Sequence, residues 1–183
     1  MNKKLCLFIA IAIIFVSLVS VYTQRGGISR IAVPRLETMT LMGIFPKTQE
    51  VSLGKMATVS VAILGPEESL SGVSMRVFIS GKIDPVITPS PKVINSGWQK
   101  QPFKEDFYYD DENNRTVIDL ALVYASPEGY AFSGNLPLAE ISFIGKETGE
   151  VNLSFDEEQS MVITKENTKF PARFEGAAIS VTQ

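Results

Sequence analysis

The chain has 183 residues, 45% of them hydrophobic, a formal net charge of −3, one cysteine and no histidine. That cysteine, Cys6, lies near the amino terminus, so the rest of the chain can hold no disulfide, cysteine–zinc site, catalytic thiol or histidine-based triad. The mildly acidic balance also excludes the basic surface that nucleic-acid binding requires.

In chain order, Lys3 and Lys4 precede an uncharged apolar run from Leu5 to Tyr22. At about 1.5 Å per residue this run makes a helix of roughly 27 Å, close to the ~30 Å thickness of a bilayer core. Residues 1–24 therefore read as a signal anchor or a signal peptide, since Val19 to Gln24 only approximates a small-residue cleavage site. Cys6 sits ahead of the apolar core, whereas a lipid-modified cysteine follows it, so it reads as one more apolar side chain. The two lysines hold the amino terminus in the cytoplasm and predict an extracytoplasmic body, tethered to the membrane or released. Residues 25–38 carry Gly26-Gly27, Arg25, Arg30, Arg35 and Pro34 without periodicity and read as a linker.

From Met39 to Gln183 short apolar segments alternate with turn residues, the spacing of an all-β domain. Val59, Val61 and Ile63 interleave with Thr58, Ser60 and Ala62, which predicts a strand with one face in the core. Val73, Met75, Val77 and Ile79 alternate with Ser74, Arg76 and Phe78. Ile118, Leu120 and Leu122 alternate with Val117, Asp119 and Ala121. Three more strands centre on Ile141, Leu153 and Ile179, and weaker ones cover Leu41–Phe45, Phe107–Tyr109 and Met161–Thr164. The total is about nine strands in a two-sheet sandwich, preceded by one hydrophobic helix. Gly65-Pro66, Gly81, Pro85, Asp110 to Asn114, Gly129, Gly145 and Gly149 mark the turns. The proline-rich stretch Ile83 to Pro102, which holds the one tryptophan, Trp98, reads as a long loop across one end of the sandwich.

Five ordered blocks between Met39 and Thr182 resemble the cohesin family. A first strand ending in Pro46 is followed by Val51-Ser52-Leu53-Gly54-Lys55 and the strand Thr58 to Ile63, similar to the family's Val-x-x-Gly opening. Leu70-Ser71-Gly72-Val73 leads into a strand that in cohesins ends in Tyr-Asp-Pro and here reaches Ile83-Asp84-Pro85. The run Gly129 to Phe143, with Leu138-Ala139-Glu140-Ile141-Ser142-Phe143, is similar to the family's Leu-Ala-x-Ile-x-Phe. Gly149 to Phe155 resembles the strand that follows. The resemblance implies a jelly-roll sandwich that binds protein, cohesins using one sheet face to hold the helical, calcium-loaded dockerin of a partner.

On that implied face the outward residues are Ser74, Arg76, Phe78 and Asp119, and an aromatic beside an arginine suits an interface. Trp98, Tyr108 and Tyr109 are the candidates for a carbohydrate-binding alternative, in which rings stack on a polysaccharide; otherwise Trp98 closes the end of the core. Asp110, Asp111 and Asn113 offer oxygens to calcium but lack the Asp-x-Asp-x-Asp-Gly spacing, and a solvated turn is the simpler reading. Asn114-Arg115-Thr116 and Asn152-Leu153-Ser154 match the glycosylation sequon, whose meaning depends on the secretion route. The acids cluster in turns, without the desolvated pairing that general acid–base chemistry uses, so no enzymatic activity and no cofactor are expected. The sequence thus predicts a non-catalytic binding module, with an architectural role in a surface assembly as a further alternative.

Overall fold

The computed structural model describes residues 40–103 and 105–183; the expected membrane segment and linker lie outside the described residues. Among the described residues no helix is long and apolar enough to cross a membrane. The elements run β1 (Thr40–Phe45), β2 (Thr48–Ser52), β3 (Met56–Ser80), β4 (Val86–Pro89), α1 (Pro91–Asn95), β5 (Trp98–Lys100), β6 (Phe107–Asp110) and β7 (Arg115–Tyr124). They continue with β8 (Tyr130–Ile144), β9 (Gly149–Phe155), β10 (Met161–Thr164), β11 (Lys169–Phe170), β12 (Ala172–Glu175) and β13 (Ala177–Thr182).

All nine expected strands form, but β3 unites two of them. Gly65-Pro66, expected as a turn, lies inside one 25-residue strand whose register against β8 shifts between Gly65 and Glu68. The first half of β3 pairs with β1 and β8, and the second half with β7, β9 and β10. One hydrogen-bonded sheet therefore curls into two layers. The first layer runs β12-β1-β3-β8-β4, and the second runs β6-β7-β3-β9-β13-β2 with β10 and β11 beside β3.

Alternation drives the packing. In β3, Val59, Val61, Ile63, Val73, Met75, Val77 and Ile79 are all buried and meet Ile118, Leu120 and Leu122 of β7 and Leu136, Leu138 and Ile141 of β8 in one core. Each fully buried Leu or Ile contributes about 1.5–3 kcal/mol relative to exposure. Thr116 is buried with them; its hydroxyl accepts from the Ile83 N–H at 2.9 Å and lies 3.0 Å from the Gly81 carbonyl, fastening the β3–β4 turn.

The stretch Ile83 to Pro102 is not a loop: it holds β4, α1 and β5. Pro89 is compatible with a strand because β4 is an edge strand, and Pro85 lies just before it. Ser90 N–H donates to Leu138, so the two-residue ladder period turns Thr88 and Val86 toward β8 and leaves Ile87 and Pro89 on the open side.

The chain changes layer twice at one level. β1 gives way to β2 at Pro46-Lys47, β12 gives way to β13 at Gly176, and both pairs, β1 with β12 and β2 with β13, are parallel. Lys47 clasps the crossing: its Nζ donates to the backbone carbonyls of Glu175 (3.3 Å) and Gly176 (3.5 Å) and pairs with the Glu175 carboxylate at 2.9 Å. A Cβ on Gly176 would lie 2.1 Å from the Leu153 carbonyl oxygen, so only glycine fits there.

Candidate protein-binding face

The outer face of the second layer gathers the four residues expected there. β3 and β7 pair antiparallel with Ser74 opposite Ala121, Arg76 opposite Asp119 and Phe78 opposite Val117. β6 adds Tyr108 opposite Val117, and β10 adds Met161 opposite Ser74 and Ile163 opposite Gly72.

At its centre Arg76 donates to Asp119 through Nε at 2.8 Å and through an Nη at 3.0 Å, a bidentate pair with the two side chains 30% and 16% exposed. Planar forks of this kind are about twice as strong as neutral hydrogen bonds. The hydrogen bonding to the Asp119 carboxylate raises the Arg76 pKa above its ordinary value. The backbone of Arg76 is also held: its N–H donates to Ser160 Oγ at 3.1 Å and its carbonyl accepts from Asp156 N–H at 2.9 Å.

Above this pair the Arg115 guanidinium lies 3.7 Å from the centre of the Phe78 ring, and Arg115 Nε donates to Asp110 at 2.9 Å. Val117 points outward, as alternation requires, yet is only 1% exposed. Around these groups Tyr108 and Val123 are exposed, and Phe78, Met161 and Ile163 are half-buried. The charges at the centre and upper edge are matched within the face, and apolar surface surrounds them.

The other candidates are not assembled into sites. Trp98 is 2% exposed and packs with Tyr124 and Tyr130, centroids 5.7 Å away in each case. Its ring closes the end of the core and offers no open face to a polysaccharide, although its Nε1 has no partner among the described residues. Tyr108 and Tyr109 alternate to opposite sides of β6, so the three aromatics form no platform. Asp110 spends its carboxylate on Asn113 and Arg115, which together hold its pKa below the ordinary range. Asp111 and Asn113 are exposed in the hairpin turn, and among the described residues no three His, Cys, Asp or Glu side chains gather as a metal would require. The hydroxyl of Thr116, third residue of one sequon, is committed inside the core.

Sequence alternation located the four central residues. It missed Arg115 over Phe78, as well as Met161 and Ile163, whose positions depend on how β10 registers against β3.

No family model and no curated protein matches the sequence. Solved structures do match. The sixth cohesin of scaffoldin B from Acetivibrio cellulolyticus, in complex with a double mutant of the Cel5 dockerin, is 14% identical with a TM-score of 0.58, covering 79% of this chain and 99% of that one. The OlpC cohesin of a type I cohesin–dockerin complex from Clostridium thermocellum is 10% identical, TM-score 0.57, covering 79% and 94%. A non-cellulosomal cohesin from the archaeon Archaeoglobus fulgidus is 12% identical, TM-score 0.52, covering 79% and 92%. The described domain is thus a divergent jelly roll with the cohesin fold.

Proposed function

We propose that this domain is a non-catalytic protein-recognition module that holds a dockerin-like partner on the outer face of the second layer. The observation that carries the reading is the arrangement of that face: an internally satisfied Arg76–Asp119 pair with Tyr108, Phe78, Val123, Met161 and Ile163 around it. Charged groups already paired on their own side need no partner charge when water leaves, so apolar contact on the flanks supplies the binding energy. Two of the structurally similar cohesins are in dockerin complexes, which supports a protein partner. In this reading the apolar run of residues 5–22 delivers the domain across the membrane and leaves it tethered outside or, after cleavage, released.

The test is calorimetric titration of the full chain with purified dockerin modules in calcium buffer, including the Cel5 dockerin. Val123→Glu and Tyr108→Ala, both at exposed positions, should each weaken a binding dockerin tenfold or more while leaving the melting temperature in place. Failure of every dockerin to bind would remove the dockerin reading, and equal binding by both variants would move the contact off this face.

A further inference from the structure

The sheet has several edges, and they differ in what they offer. β4, four residues long, turns Pro89 outward and so has only the Ile87 N–H as a backbone donor on its open side. β2, the longest of the edge strands at five residues, has no proline.

Its hydrogen bonding can be followed residue by residue. β2 runs parallel to β13 with Thr48 beside Ala178 and Ser52 beside Thr182. Ala178 N–H donates to Lys47 and Leu53 N–H donates to Thr182. In a parallel ladder one strand's alternate residues make all the bonds, so Lys47, Gln49, Val51 and Leu53 face β13. Thr48, Glu50 and Ser52 then turn their backbone groups outward. The Ser52 carbonyl is taken by Lys55 N–H in the following turn. That leaves three N–H groups and two carbonyls along the edge, at intervals of roughly 6.6 Å, without partners among the described residues.

The side chains add a sign. Thr48, Glu50 and Ser52 are exposed, and Glu50 shares a row with Ser180 of β13 and Glu150 of β9. A groove of about 320 Å³ runs along this row, lined by Thr48, Glu50, Glu150, Ala178 and Ser180. The nearby cation Lys47 is engaged at the crossing with Glu175. A second copy set antiparallel about Glu50 would bring two carboxylates opposite each other, which is unfavourable.

We infer that the β2 edge is a second docking site, one that adds an extended partner segment as a further strand and selects lysine or arginine at the position facing Glu50. Main-chain bonds to Thr48, Glu50 and Ser52 give the affinity, and the Glu50–Glu150 row gives the preference for a basic segment. The Glu50–Glu150 row lies on the same outer face of the second layer as Arg76 and Phe78, but at the far edge of the sheet, with β9 and β13 between β3 and β2.

The probe is a capped seven-residue peptide alternating lysine and valine, added at millimolar concentration to the full chain, with amide hydrogen exchange read residue by residue. Exchange at Thr48, Glu50 and Ser52 should slow at least threefold, binding should weaken as salt rises, and Glu50→Lys should reduce affinity tenfold or more. Several outcomes would overturn the inference: unchanged exchange at those amides, the same protection from a glutamate–valine peptide, undiminished binding to Glu50→Lys, or protection that follows protein concentration in the absence of peptide, which would mean self-association.

Discussion

The outer faces of the two layers are both organised around cross-strand pairs, but the pairs differ in kind. In the second layer Arg76 and Asp119 form a half-buried bidentate ion pair, flanked by Arg115 over Phe78. In the first, the pair on adjoining strands is Thr58 with Ser142, two hydroxyls 2.9 Å apart in an exposed setting, near Met56, Val86 and Ile144, which are 61%, 61% and 45% exposed. The ion pair is held in place by its surroundings, so removing one member strands the other away from water. The hydroxyl pair lies open to solvent, so water can replace either partner. A charged pair can therefore shape a surface only where the neighbouring side chains have already partly dried it.

The contrast is broken most directly by paired deletions. Asp119→Ala leaves the Arg76 guanidinium half-buried without its carboxylate and should cost about 1–2 kcal/mol in denaturant unfolding. Thr58→Ala on the other face should stay within about 0.5 kcal/mol. Equal losses would mean that the two faces are built alike. A smaller effect is expected from Arg115→Ala, which removes the guanidinium from the Phe78 ring and should cost about 0.5–1 kcal/mol. If stability holds and the Phe78 amide exchanges as before, the stacking contributes nothing.

Acid provides the finest probe. Hydrogen bonds from Asn113, then Arg115, depress the Asp110 pKa, so the folded protein binds that proton more weakly than the unfolded chain. The stability this supplies is complete above the ordinary carboxylate value of about 3.9 and disappears as pH falls through the lower folded value. Asp84, Glu128 and Glu175 are depressed too and share the fall. Asp110→Asn should therefore flatten only part of the drop in melting temperature below about pH 4. An identical slope would assign the acid sensitivity to the other three.

Much of the second-layer face was legible because it rests on period-two alternation in two long strands. Ser74, Arg76, Phe78 and Asp119 are outward for the same reason that Val73, Val77 and Leu120 are inward. Parity does not report depth, which is why outward-pointing Val117 turns out to be covered. The curl of the sheet was not legible. Gly65-Pro66 reads locally as a stop, yet the flanking segments gain more by continuing along β8 with a shifted register. β4 was hidden by its prolines, which break a central strand but suit an edge. β2, Thr48-Gln49-Glu50-Val51-Ser52, offers little apolar signal because only alternate residues are even partly buried. Trp98 was ambiguous by sequence alone, since a ring of that size serves a core or a platform, and its packing against Tyr124 and Tyr130 decides for the core.

The Lys47 clasp and the two parallel pairings bear on how the chain reaches its native state. Groups some 128 residues apart in sequence meet at the crossing, and β1 and β2 lack their outer neighbours until residues 172–182 have been made. Contacts of such long range are entropically costly to close and slow folding. As the chain is synthesised, β3, β7 and β8 can pair early, while its leading strands wait with bare edges for partners that arrive more than a hundred residues later.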